Sequence, residues 1–201
     1  MSTRRIEAFS DGIFAFAATL LVLGLHDPGS AGGLGHGLIH QWPFFAAYAV
    51  SFVTIGIIWL NHHSLFACLR ELDRLLVFLN LLLLMVVAFL PFPTGLLATY
   101  VRSGGSDSHV AGGLYGLTMT ALGLLFTVIW WRLTKSEHLL AEGSTPADAR
   151  ASLHRTFRGP IIYLVATAIS LVSAPAALIG YAAVAVYFAF PGRTLSPSGE
   201  E

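Results

Sequence analysis

Cysteine is nearly absent from this chain: Cys68 stands alone, so no intrachain disulfide can form and no thiolate cage for zinc is available. Charge is scarce too. Asp, Glu, Lys and Arg together make up 11% of the residues and cancel to a formal net charge of zero, which leaves no basic patch for nucleic acid. There is no Ser/His/Asp hydrolase pattern and no glycine-rich loop to cradle phosphate, so the sequence offers little to an enzyme. No polar stretch is long enough to fold as a separate soluble unit. Residues 1–201 therefore read as one domain.

What is present is hydrophobicity. Apolar residues make up 55% of the chain, and several uninterrupted runs reach about 20 residues, roughly the length that crosses a bilayer core. The fold class is all-α: an integral, multi-pass protein of the cell membrane. The expected spans are 6–25, 42–61, 75–99, 110–131, 155–174 and 176–191. Only Pro175 separates the last two, and one long kinked helix is the alternative there. The first run is no cleaved leader, because Glu7 and Asp11 fall where signal peptides avoid acid. With six spans and both termini cytoplasmic, Arg4, Arg5, Arg70, Arg74, Arg132, Lys135, Arg150, Arg155, Arg158 and Arg193 lie inside and only Arg102 outside. That bias is the positive-inside signature.

The chemistry concentrates at Arg5-x3-Phe9-Ser10-Asp11, which opens directly into the first apolar run. A carboxylate near hydrocarbon costs on the order of 3 kcal/mol at a helix centre, so Asp11 requires a partner. At about 100° per residue, Phe9, Phe16, Leu20 and Leu23 share a narrow stripe, with Ile13 and Thr19 on its shoulders. Asp11 lies about 140° from Phe16, and Ser10 about 120° away on the other side. Neither shares the stripe, so both point back among the chain's own helices. Their partners are sought in Trp59-Leu-Asn61-His62-His63 and in Asn80, the sole polar residue between Leu75 and Leu90.

Other features have structural readings. His62 and His63 are adjacent and point about 100° apart, unsuited to sharing one metal; no metal site is expected. Gly112-x3-Gly116, with Gly123 beyond, forms a smooth strip against which another helix can approach closely. Pro91 and Pro93 should kink or end the third helix. Segments 26–41, with His26, His36 and His40, and 102–109 read as mobile extracytoplasmic turns. Residues 134–158 read as a short cytoplasmic helix or linker. Asp27 reads as part of a helix-ending Asp-Pro turn.

Taken together, Arg5-x3-Phe9-Ser10-Asp11 leading to Thr19-Leu20-Leu21, then Trp59-Leu-Asn61-His62-His63-x-Leu65-Phe66, then Asn80-Leu-Leu-Leu-Leu before Pro91-Phe-Pro93, resembles the potassium channels of the transmembrane protein 175 family. The match is close over the first half of the chain. The second half agrees in helix count and hydropathy. The resemblance implies a single-repeat, microbial form that assembles as a homotetramer, with the first helix of each subunit lining a central pore. It implies a hydrophobic constriction of Phe16, Leu20 and Leu23 in place of a carbonyl filter, with Thr19 adjusting ion selectivity. Phe16 departs from the isoleucine more usual in the family and makes a bulkier ring.

The expected function is therefore passive, leak-type conduction of potassium and other monovalent cations across the bilayer, with K+ as permeant ion, no cofactor and no nucleic-acid partner. Arg5, Ser10 and Asp11 are expected to lock the pore helix to Trp59, His63 and Asn80 in a hydrogen-bonded network. The rival expectation is a secondary transporter or proton-coupled carrier that uses Asp11 and His63 as a relay.

Overall fold

A computed structural model describes residues 3–27 and 33–189. Its long elements there are all helices: α1 (Thr3–Leu20, extended by a 3-10 turn, Leu21–Gly24), α2 (Leu34–His40), α3 (Trp42–Ala67), α4 (Arg74–Phe89), α5 (Pro91–Tyr100), α6 (Gly105–Thr134), α7 (Pro146–Ser170) and α8 (Ala174–Ala189). Among the described residues, four stretches are long and apolar enough to cross a membrane: Thr3–Gly24, Trp42–Ala67, Arg74–Tyr100 and Gly105–Thr134. The protein is a multi-pass membrane protein.

The boundaries differ from the sequence expectation in instructive ways. The third expected span breaks where its prolines stand, with α4 stopping at Phe89 and α5 starting at Pro91, while Leu90 keeps helical angles (φ −55°, ψ −35°). The result is one bent rod. Segment 26–41 contains a short helix, α2, and α6 begins at Gly105 rather than Val110, because polar residues at an interface can extend an apolar helix. Helix α7 starts at Pro146, well before the expected residue 155. Thr145 and Asp148 cap each other reciprocally, and Pro146 occupies the first turn, where its missing N–H is harmless. The Thr145 hydroxyl and backbone N–H hold the Asp148 carboxyl below its ordinary range.

Between α7 and α8 the chain reverses at residues 171–173, ahead of Pro175, so these are two helices and not one kinked rod. They run antiparallel, with the Tyr163 and Tyr181 rings 6.3 Å apart. Pro191, at the end of the last expected span, and Arg193 lie outside the described residues.

Lipid tails are as apolar as leucine, so packing between these helices depends on close approach and hydrogen bonds. The glycine strip of α6 provides the first. A Cβ on Gly123 would lie 2.9 Å from the ring of Pro160, and one on Gly116 would collide with Thr167 and Tyr181. Helix α7 thus lies directly on α6, the proline of one fitting the glycine of the other. A second buried polar cluster ties α3, α5 and α6 together: Ser51 Oγ lies 2.9 Å from Thr94 Oγ1 and 3.2 Å from Tyr115 Oη.

At one end of the bundle two connections join. Arg70 N donates to Leu139 O (2.9 Å) and Ala141 N to Cys68 O (3.0 Å), an isolated antiparallel bridge centred on Leu69 and Leu140. Arg132 donates to Asp73 at 2.8 Å and to Ser136, while Asp73 also accepts from Leu76 N and so caps α4. Burial pushes the neighbouring Cys68 thiol up from its ordinary pKa.

Gly116→Ala should lower stability by about 1–3 kcal/mol through overpacking. Gly113→Ala, where nothing lies within 4 Å, should be neutral or slightly stabilising. Thermal denaturation of both variants in detergent checks the contrast.

Candidate functional site

Helix α1 buries Ile6, Ser10, Phe14 and Ala17, spaced by three or four residues along one face. This face carries the polar group Ser10 inward, where it joins Asn80 on α4 and His62 on α3. The amide Nδ2 of Asn80 donates to Ser10 Oγ at 3.1 Å, and Ser10 Oγ donates onward to the Ile6 carbonyl at 2.8 Å. His62 Nε2 lies 2.8 Å from Asn80 Oδ1. Because that oxygen can only accept, His62 is the donor and carries its proton on Nε2. Ser10 and His62 are fully buried and Asn80 is 2% exposed. One continuous chain of hydrogen bonds therefore joins three helices.

The histidine ring is held by aromatic neighbours, with Phe66 stacked at 4.4 Å and Phe14 edge-on at 5.2 Å between centroids. Its Nδ1 finds no hydrogen-bond partner among the described residues.

Beside this core runs a ladder with two rungs. Glu7 and Asp11 are four apart on α1, as are Trp59 and His63 on α3. Trp59 Nε1 donates to Asp11 Oδ1 at 2.8 Å, and His63 Nδ1 lies 3.2 Å from Glu7 Oε1. The second rung is exposed, with the His63 side chain 60% accessible, and such pairs contribute little. The first rung answers the requirement that Asp11 have a partner.

The expected site residues fall into distinct places. Ser10 and Asn80 bond each other, and Asp11 bonds Trp59. Arg5 is exposed and makes none of these bonds, and His63 meets Glu7 while its neighbour His62 reaches Asn80. Glu7 was not among the expected partners, and His62, which lies within the candidate stretch, was passed over in favour of His63. The four-residue spacing of Glu7 to Asp11, matched by Trp59 to His63, was the available signal for the ladder. The roughly 100° between adjacent histidines meant that only one of the two could turn toward Asn80.

On the opposite side of α1, Phe16 is 62% and Leu23 69% exposed, Leu20 is half-buried, and the Thr19 hydroxyl donates to the Phe16 carbonyl at 2.8 Å. The stripe thus stands away from the chain's own core, with Phe9 exposed at its N-terminal end.

A helical multi-pass membrane protein whose first helix turns its polar residues inward and its apolar stripe outward is the class defined here. Comparison with known proteins makes it specific. The family described as "Endosomal/lysosomal potassium channel TMEM175" matches residues 5–91. A potassium channel of Streptomyces collinus is 46% identical over 188 residues, covering 92% of this chain and 91% of that one. A potassium channel of Chamaesiphon minutus is 37% identical over 191 residues, covering 93% of each. The crystal structure of a lysosomal potassium-selective channel TMEM175 homolog from Chamaesiphon minutus superposes with a TM-score of 0.83 at 36% identity, covering 93% of this chain and 96% of that one. The human endosomal/lysosomal proton channel TMEM175 is 42% identical over 101 residues, which are 45% of this chain and 20% of that protein. The chain belongs to the TMEM175 family, a family of ion channels and not of enzymes.

Asp11→Asn and Trp59→Phe should each destabilise the protein, and together by less than their sum. The coupling expected for one interhelical bond is about 0.6 to 2 kcal/mol. A double-mutant cycle of denaturation midpoints in detergent measures it.

Proposed function

We propose that this chain is one subunit of a homotetrameric, potassium-permeable channel of the cell membrane that conducts passively through a pore lined by α1. In this reading the chain crosses the bilayer six times, α7 and α8 being the fifth and sixth spans, and both termini are cytoplasmic. Phe16, Leu20 and Leu23 form the hydrophobic constriction, and Thr19 adjusts ion preference.

The observation that carries the reading is the exposure of Phe16 and Leu23 on a helix whose opposite face is fixed by the Ser10–Asn80 bond. A helix held so firmly in one rotation has a defined outward face, and four such faces around an axis make rings of apolar side chains. The naming of the Streptomyces and Chamaesiphon relatives as potassium channels supports the same function. The topology is supported by the end of the bundle where Arg70, Arg74, Arg132 and Lys135 gather around the paired connections, a basic end of the kind that faces the cytoplasm.

The physics of such a constriction is dehydration. A ring of phenylalanines offers no ligand, so an ion must shed water to pass, and a dry ring gates by dewetting. Potassium sheds water at lower cost than sodium because the larger ion holds it more loosely. Since the Thr19 hydroxyl spends its proton on the Phe16 carbonyl, its oxygen presents lone pairs, which suits it to accept a partly dehydrated cation. The permeant ion is K+, and no other cofactor enters the scheme.

A carrier working through Asp11 and His63 gains no support from the geometry, since these two groups engage Trp59 and Glu7 separately.

Liposomes containing the purified chain should show potassium flux. Phe16→Ala should raise that flux several-fold by widening the ring, and Thr19→Ala should reduce the preference for K+ over Na+. Absence of flux in both the wild type and Phe16→Ala contradicts the channel reading. Flux coupled stoichiometrically to protons would favour the carrier.

A further inference from the structure

The outward face of α7 changes character along its length. Arg150, His154 and Arg158 lie four residues apart on one exposed stripe, which then continues as Ile161, Leu164 and Val165, 49%, 49% and 57% exposed. The register between α6 and α7, set by Gly123 against Pro160 and Gly116 against Thr167, gives the depth of these groups. Arg150 is level with Leu133, next to the Arg132–Asp73 pair; His154 is level with Ile129, and Arg158 with Leu125. Arg158 therefore sits about 10 Å, or two helical turns, deeper than Arg132. At that depth α6 reads Leu124-Leu-Phe-Thr-Val-Ile-Trp-Trp131, apolar but for Thr127, whose hydroxyl donates to the Gly123 carbonyl.

An exposed arginine at hydrocarbon depth is costly unless its head reaches polar groups or a counter-charge comes to it. None is paired with it among the described residues. No acidic residue occurs on α7 after Asp148, and that carboxylate is engaged by Thr145. Neither Arg150 nor Arg158 forms an ion pair among the described residues. A second copy of the chain would be a poor source as well. The acids at membrane depth, Glu7 and Asp11, are already engaged by His63 and Trp59. Glu71, Glu137 and Glu142 belong to the connections between helices.

We propose that this face of α7 is a binding site for an anionic phospholipid of the cytoplasmic leaflet, its phosphate held by Arg158 and Arg150 with His154 between them and its acyl chains lying along Ile161, Leu164 and Val165. Guanidinium groups suit the role because they grip phosphate oxygens through two parallel hydrogen bonds. The packing order agrees with a lipid-facing position: α1 packs on α3, α4 and α5, whereas α7 packs on α6 and α8, remote from the proposed pore helix. The site rests on the assignment of α7 as a membrane span in the channel reading.

The test is native mass spectrometry of the detergent-solubilised full chain titrated with phosphatidylglycerol or phosphatidylcholine. The wild type should prefer phosphatidylglycerol, and Arg150→Gln and Arg158→Gln should each weaken its binding about fivefold, the effect of one basic group at a membrane surface. Phosphatidylcholine binding should not change. Arg158→Lys, which keeps the charge, should retain most of the preference and guards against misfolding of the glutamine variant; Lys135→Gln, off the stripe, should leave it intact. Equal binding of the two lipids by the wild type, or full preference in both glutamine variants, overturns the site. A loss of subunits in Arg150→Gln or Arg158→Gln also overturns it, making the face an interface between copies. Potassium flux measured on the same preparations separates the two readings. Flux without lipid preference removes this site alone, and lipid preference without flux supports the site while contradicting the channel.

Discussion

The structure turns on the rotation of α1, and that rotation is fixed by the bond between Ser10 and Asn80. Asparagine in hydrocarbon cannot be left unpaired, and its two functional ends are used in opposite directions, the amide nitrogen toward Ser10 and the oxygen toward His62. A rotation of α1 by one residue, about 100°, would break the chain of bonds and swing Asp11 away from Trp59. Polar groups that look like candidates for contact with ions are instead the fastening. The apolar side chains opposite them are left facing outward.

The two halves of the chain hold together by different means. Around α1, α3 and α4 the specificity is polar and directional. Between α6 and α7 it is steric, because Gly116 and Gly123 remove the side chains that would keep the helices apart. The Ser51–Thr94–Tyr115 cluster links the two regimes near the bend at Leu90, where the Thr94 hydroxyl and backbone N–H both donate to the Leu90 carbonyl. A bilayer gives no hydrophobic reward for association, which explains why both devices are needed.

Much of this was legible in the sequence where one residue type is costly out of place. Asp11 and Asn80 announced themselves because a membrane helix cannot carry them without partners, and the apolar stripe of α1 followed from periodicity alone. The glycines of α6 marked a close helix contact, though not that Pro160 would fill it. The parts that were hidden depend on tertiary register. Sequence spacing could not tell whether His62 or His63 would face Asn80, and the exposed Arg5 was placed in the network on resemblance rather than geometry. Nor did hydropathy show that α7 starts at Pro146, because capping chemistry, not apolar content, begins that helix.

The central claim is that the fastened face of α1 aims the opposite stripe at an ion path. Cys68, the only native cysteine, is buried, and that burial disfavours its thiolate, so single cysteines can be introduced against a quiet background. The most direct measurement is potassium flux through reconstituted Leu20→Cys, Leu23→Cys and Val22→Cys proteins before and after a membrane-impermeant cationic thiol reagent. The account predicts block at positions 20 and 23 and little effect at 22, which is exposed but lies off the stripe. Block at 22 with no effect at 20 and 23 would contradict it.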